Sequence, residues 1–115
     1  MEEQKLNVAL LNAFPELEQE FDEYTSWQDG IDTGAFLTYE DVFLPHIIEA
    51  VKTDDEAFLN RVAPFLEKHL TQEGDYSANV IYVGILEGLK AECDREKVKA
   101  FLFDESRRQF DEMSY

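Results

Sequence analysis

The chain has 115 residues, with 26 Asp plus Glu against 10 Lys plus Arg, for a formal charge of −16. Apolar residues make up 44% and aromatics 13%, which lifts the chain out of the low-hydrophobicity regime of disorder and suffices for one core. The same charge balance argues against nucleic acid and against an anionic membrane surface as direct ligands, since clustered Lys and Arg hold both.

The apolar spacing is helical from end to end, with no alternating strand pattern. Leu6, Leu10 and Phe14 mark a first helix. Pro15 suits the first position of a second, on which Leu17, Phe21 and Tyr24 share a face. Residues 28–37 contain Gly30 and Gly34 and read as a loop. Thr38 is the expected cap of a third helix, with Asp41 completing an imperfect capping box. Val42, Phe43, Ile47, Ile48 and Val51 supply its buried face. Pro45 lies too deep for a first turn, so a kink or a break is expected there. A fourth helix starts from Asp54 or Asp55 and carries Phe58, Val62, Phe65 and Leu66 around an interior Pro64. Gly74 should end it.

A fifth helix opens at Asp75 or Ser77. Its run Val80-Ile81-Tyr82-Val83-Gly84-Ile85-Leu86 is apolar on nearly every side and predicts a central position, with Gly84 and Gly88 admitting a close neighbour. Asp94 should cap a last helix bearing Val98, Phe101, Leu102, Phe110 and Met113. The expectation is a single all-α domain over residues 1–115. It is either a bundle of about six short helices or helical hairpins stacked as in HEAT repeats.

The longest apolar run, Val80 to Leu86, falls far short of the ~20 residues of a membrane span. The opening Met1-Glu2-Glu3-Gln4-Lys5 has no apolar signal core, so a cytoplasmic location is expected. Cys93 is the only cysteine, which excludes an internal disulfide and a Cys-based zinc site. A semi-buried structural role is expected for it, and a monomer for the chain.

The acid is unevenly spread. Residues 86–115 hold six bases and eight acids, a net −2, so residues 1–85 carry −14. No Lys or Arg stands between Lys5 and Lys52, while Glu16, Glu18, Glu20, Asp22, Glu23, Asp29, Asp32, Glu40, Asp41 and Glu49 all do. Tyr24, Trp27, Phe36 and Tyr39 are interleaved with them, whereas Phe21 and Phe43 belong to the core. Like charges on neighbouring helical turns repel by a few tenths of a kcal/mol per pair. Such a concentration serves either solubility or a field that draws in a basic partner. The aromatics favour binding, because Trp and Tyr anchor interface centres.

No catalytic signature accompanies this charge. P-loop, GxSxG, HExxH and dinucleotide-binding glycine patterns are absent, and an enzyme is not expected. Counting Asp29 as position one of a calcium loop puts Gly34 at six and Glu40 at twelve, but Ile31 occupies a ligand position and Thr33 is a weak ligand. An ordinary acidic loop is the better reading. His46 and Glu49 have the spacing of a single carboxylate–histidine half-site, and His69 has no acid at the matching offset, so no metal or cofactor is expected. Arg107 and Arg108 stand among Glu105, Asp111 and Glu112, as in helix-surface ion pairs.

The words Phe14-Pro15-Glu16-Leu17, Glu20-Phe21 and Trp27-Gln28-Asp29-Gly30 are similar to those of short bacterial proteins of unassigned activity, some encoded near toxin genes. In size, acidity and helical character the chain resembles the immunity proteins of contact-dependent growth inhibition and other polymorphic toxin systems. That resemblance implies stoichiometric binding and neutralisation of a cognate toxin domain, often a basic nuclease whose groove is positive to hold phosphates. The residues expected to meet this partner are Glu20, Asp22, Glu23, Tyr24, Trp27, Asp29, Asp32, Tyr39 and Asp41. The alternative is a helical adaptor or regulatory scaffold that binds a basic partner with no toxin involved.

Overall fold

Each apolar stripe folds as a helix that buries it. The computed structural model of the chain describes residues 2–113, and among them there are seven helical segments and no strand. Helix α1 is Glu2–Ala13. Helix α2 begins as a 3-10 turn at Pro15–Leu17 and continues as Glu18–Thr25. Helix α3 spans 35–53, α4 is Glu56–Thr71, and α5 spans 75–92. Arg95–Phe101 forms α6 and Asp104–Glu112 forms α7.

The third helix starts earlier than its sequence suggested. Residues 35–37 are helical, so the loop is shorter than 28–37, and Thr38 is a buried interior residue rather than a cap. Its hydroxyl donates to Asn7 Oδ1 instead of closing a capping box with Asp41. Pro45 does not break the helix. A π turn over Tyr39–Phe43 precedes it, with the Leu44 N–H reaching five residues back to Tyr39 O. A proline lacks an N–H and clashes with the carbonyl four residues earlier, and the wider turn absorbs that misfit. Pro64 likewise sits inside an unbroken α4.

The two adjacent aspartates after α3 divide the work of the corner. Asp54 takes the left-handed conformation at φ 56° and its N–H closes onto Ala50 O and Val51 O. The Asp55 carboxylate accepts the Phe58 N–H at 3.2 Å and starts α4. Gly74, expected to end α4, stands instead just before α5 with φ 98°; α4 itself stops at Thr71.

Helix α5 is central, with Val80, Ile81, Ile85, Leu86 and Leu89 fully buried, although Val83 reaches solvent. A Cβ on Gly88 would collide with the Leu44 side chain, so this glycine lets α3 lie close against α5. Phe14 joins this interior with its ring centroid 4.9 Å from Phe43 and 5.5 Å from Phe65. Around α5 the helices close into one body of 36 × 30 × 23 Å, a bundle rather than a linear stack of hairpins.

The expected last helix divides in two, because Leu102 and Phe103 are extended. Asp94 caps α6 by accepting the Glu96 and Lys97 N–H groups. Helix α7 is capped from a distance: Glu67 of α4 accepts from Glu105 N, Ser106 N and Ser106 Oγ. Arg107 satisfies the carbonyls of Lys99 and Leu102 at the end of α6, and the Lys90 ammonium bonds Phe110 O at 2.7 Å. Arg108 pairs with Glu105 and Glu112 on the surface of α7, whereas Asp111 pairs with Lys99.

Candidate functional site

The acid-rich segment folds back on the bundle through a few named interactions. Leu17 and Phe21 point α2 inward. On its other flank the Glu20 carboxylate oxygens lie 2.9 Å from His46 Nε2, and the Tyr24 hydroxyl donates to Asp41 Oδ2 at 2.5 Å. Both His46 and Asp41 belong to α3, so these pairs fix α2 beside the π turn. The Asp41 carboxylate holds the Tyr24 proton and raises its pKa. Below α2, Arg61 of α4 pairs with Glu16, bonds Ala13 O and lies 4.9 Å from the centre of the Phe14 ring. That guanidinium holds the Glu16 carboxyl below its ordinary value.

The connection after α2 is held from α1. Asn7 is fully buried, donates to Ile31 O and Thr33 O at 2.8 Å each, and accepts from Thr38 Oγ1. One amide therefore ties α1, the connection and α3 together, with both of its hydrogen-bonding ends satisfied. A 3-10 turn at Gly30–Asp32 and the bond from Asp29 N to Thr33 Oγ1 complete the connection. Nothing covers its tip, where Trp27 is 92% exposed.

Most of the expected docking residues meet solvent. Glu20, Asp22, Glu23, Trp27, Asp29, Asp32 and Asp41 are exposed, and Tyr24 is half-buried. Glu20, Tyr24 and Asp41 meet along the α2–α3 seam, while Trp27, Asp29 and Asp32 sit on the connection that leaves the end of α2. The carboxylates of Asp22, Asp29 and Asp32 have no hydrogen-bond or ion-pair partner among the described residues. Tyr39 is the exception and has to be removed from the set. Its side chain is completely buried, its hydroxyl donates to Leu6 O at 2.6 Å, and burial pushes its pKa far up. It lies in the apolar wall of α3, one position from the surface acids that suggested it.

The calcium-loop spacing leads to no gathered ligand set. Thr33 turns inward, its hydroxyl accepting from Asp29 N and its carbonyl from Asn7, and Glu40 lies in the π turn of α3. Among the described residues no three His, Cys, Asp or Glu side chains are grouped so as to hold a metal ion. His46 takes Glu20, not Glu49, as its partner. His69 is buried, with Nδ1 donating to Phe65 O.

Asn7 is the residue that sequence reasoning passed over. A signal was there: Asn7 stands three and seven residues before Leu10 and Phe14, on their apolar face, where a polar group needs a partner inside the fold. A family model described as "Domain of unknown function (DUF7674)" matches residues 8–115. No curated protein and no solved structure matches the chain. The chain belongs to the family of that domain.

Proposed function

Starting from membership of a family with no assigned activity, we propose that this is a binding protein that docks a basic partner protein on the face built by α2, the following connection and the start of α3. The observation that carries the reading is an indole 92% exposed in the same short segment as the exposed, unpaired carboxylates of Asp22, Asp29 and Asp32. Leaving so large an apolar side chain in water does nothing for the fold, and an aromatic within an acidic rim suits the centre of an interface. The carboxylates accelerate encounter, and Trp27 with the half-buried Tyr24 slows release.

Resemblance to immunity proteins names the partner as the toxin domain of a bacterial effector, with a cationic nuclease groove as the surface that fits best. An interface of about 800 Å² per partner is within reach of a domain this size. Neutralisation calls for nanomolar affinity or tighter, with association that slows as salt rises.

Co-expression with the product of the neighbouring open reading frame, followed by pull-down and interferometry, tests the reading. D22K and E23K should slow association at low salt by about tenfold without unfolding the chain. Association of these variants at the wild-type rate would refute the docking face. Capture of a basic partner that is no toxin would keep the face and transfer the protein to the adaptor class.

A further inference from the structure

A second feature lies away from the acidic face, where α1 crosses the end of α4 and the start of α5. There a cleft of about 120 Å³ is lined by Lys5, Leu6, Ala9, His69, Glu73 and Ser77. His69 is only 5% exposed, and its ring stacks on Phe65 with centroids 4.2 Å apart. Its Nδ1 lies 2.9 Å from Phe65 O, and because a carbonyl only accepts, the ring proton sits on Nδ1. Nε2 is then a bare acceptor with no partner among the described residues. None of the sealed side-chain nitrogens or oxygens described lacks a partner, so Nε2 keeps some access to solvent, and His69 lines the cleft. Burial also holds the imidazole in its neutral form by lowering its pKa.

The other polar groups complete a pattern. Ser77 Oγ spends its proton on His69 O at 2.9 Å and offers a lone pair. Glu73 adds a carboxylate and Lys5 the single cation. The residues that line the cleft therefore carry three acceptors of different kinds and one positive charge. A primary ammonium has three N–H donors and matches His69 Nε2, the Glu73 carboxylate and Ser77 Oγ. A carboxylate attached to the same small molecule would pair with Lys5. A metal ion fits poorly, since His69 and Glu73 are the only titratable ligands and Lys5 repels it. An anion without an ammonium is opposed by Glu73.

The geometry points to a binding site for a small zwitterion, an α-amino acid of the size of glycine or alanine, with His69 Nε2 as the buried acceptor for its ammonium group. The site is independent of the docking face. With so few ligand atoms the affinity lies in the micromolar to millimolar range.

The test is a titration of the full chain with glycine, methylammonium and acetate at pH 7.5 and constant ionic strength, read from the imidazole ¹⁵N resonances. Glycine should shift His69 Nε2 saturably, methylammonium should bind about tenfold more weakly, and acetate should leave the ring unchanged. H69F keeps the stack on Phe65, removes the acceptor, and should abolish binding. E73Q changes an exposed side chain, leaves folding intact, and should weaken glycine about tenfold. As the pH falls below 6.5 and through the lowered pKa of His69, the ring takes up a proton, faced by Lys5, Lys68 and Glu73, and should lose glycine. Methylammonium binding as well as glycine would overturn the zwitterion assignment. Non-saturating shifts, or full glycine affinity in folded E73Q, would overturn the site and leave a cleft that holds water.

Discussion

The two ends of the chain use charge in opposite ways. From α6 to α7 the charged groups are spent internally. Arg107 closes the end of α6, Glu67 caps α7, Lys90 holds Phe110 O, and Lys99 and Arg108 bridge to Asp111, Glu105 and Glu112. Between α2 and the start of α3 Glu16, Glu20, Glu23 and Asp41 find a partner of another kind, while Asp22, Asp29 and Asp32 face water alone. That region is nevertheless tied to the bundle, because the uncharged Asn7 anchors it from within. Rigidity and outward charge are therefore supplied by different residues, and each can be altered separately.

The largest effect should come from the anchor. N7A leaves the Ile31 and Thr33 carbonyls without their donor and should cost about 2–3 kcal/mol in urea unfolding. Amide exchange should rise most across residues 26–34. The matching lesion at the other end is E67A, which uncaps α7 and should cost about 1–2 kcal/mol. A smaller cost for N7A than for E67A would reverse the ranking of the two regions.

Acidification separates them further. The His69 pKa lies below its ordinary 6.5 in the fold because burial disfavours the cation. The unfolded chain therefore takes up a proton that the native state refuses. Stability should be full above pH 6.5 and fall as the pH drops toward the folded value, and H69F should remove that slope. The Glu16 carboxyl adds loss only at lower pH, below its ordinary 4.5, as its pairing with Arg61 is titrated away. Weaker still is the self-repulsion of the acidic segment. Together, D22N, E23N, D29N and D32N should raise stability by a few tenths of a kcal/mol each at low salt and by nothing near 1 M. Last, W27A should leave stability within about 0.5 kcal/mol of wild type, since the indole touches so little.

What the sequence displayed was the pattern of burial. Leu6, Leu10, Phe14, Val62 and Leu66 occupy the core places that their spacing assigns, because a helical period directly encodes which face is wet. The boundaries were less legible. A π turn ahead of Pro45 has no residue signature of its own, so an expected break became a widened turn. The extended Leu102–Phe103 pair interrupts a stripe that looked continuous, since its apolar side chains read the same in either conformation. In the candidate site, the exposed acids and Trp27 followed from composition. Tyr39 did not, because alternation of aromatic and acidic residues along a helix cannot tell an inward ring from an outward one without the phase of the widened turn.

Trp27 is the only tryptophan in the chain, and it lies outside the core. Its emission should already be that of an indole in water in the native state, and should hardly change in wavelength when the chain melts. Burial under a docked protein would move it to the blue. Excitation at 295 nm is thus nearly blind to unfolding and sensitive to association, a separation most proteins acquire only by attaching a dye.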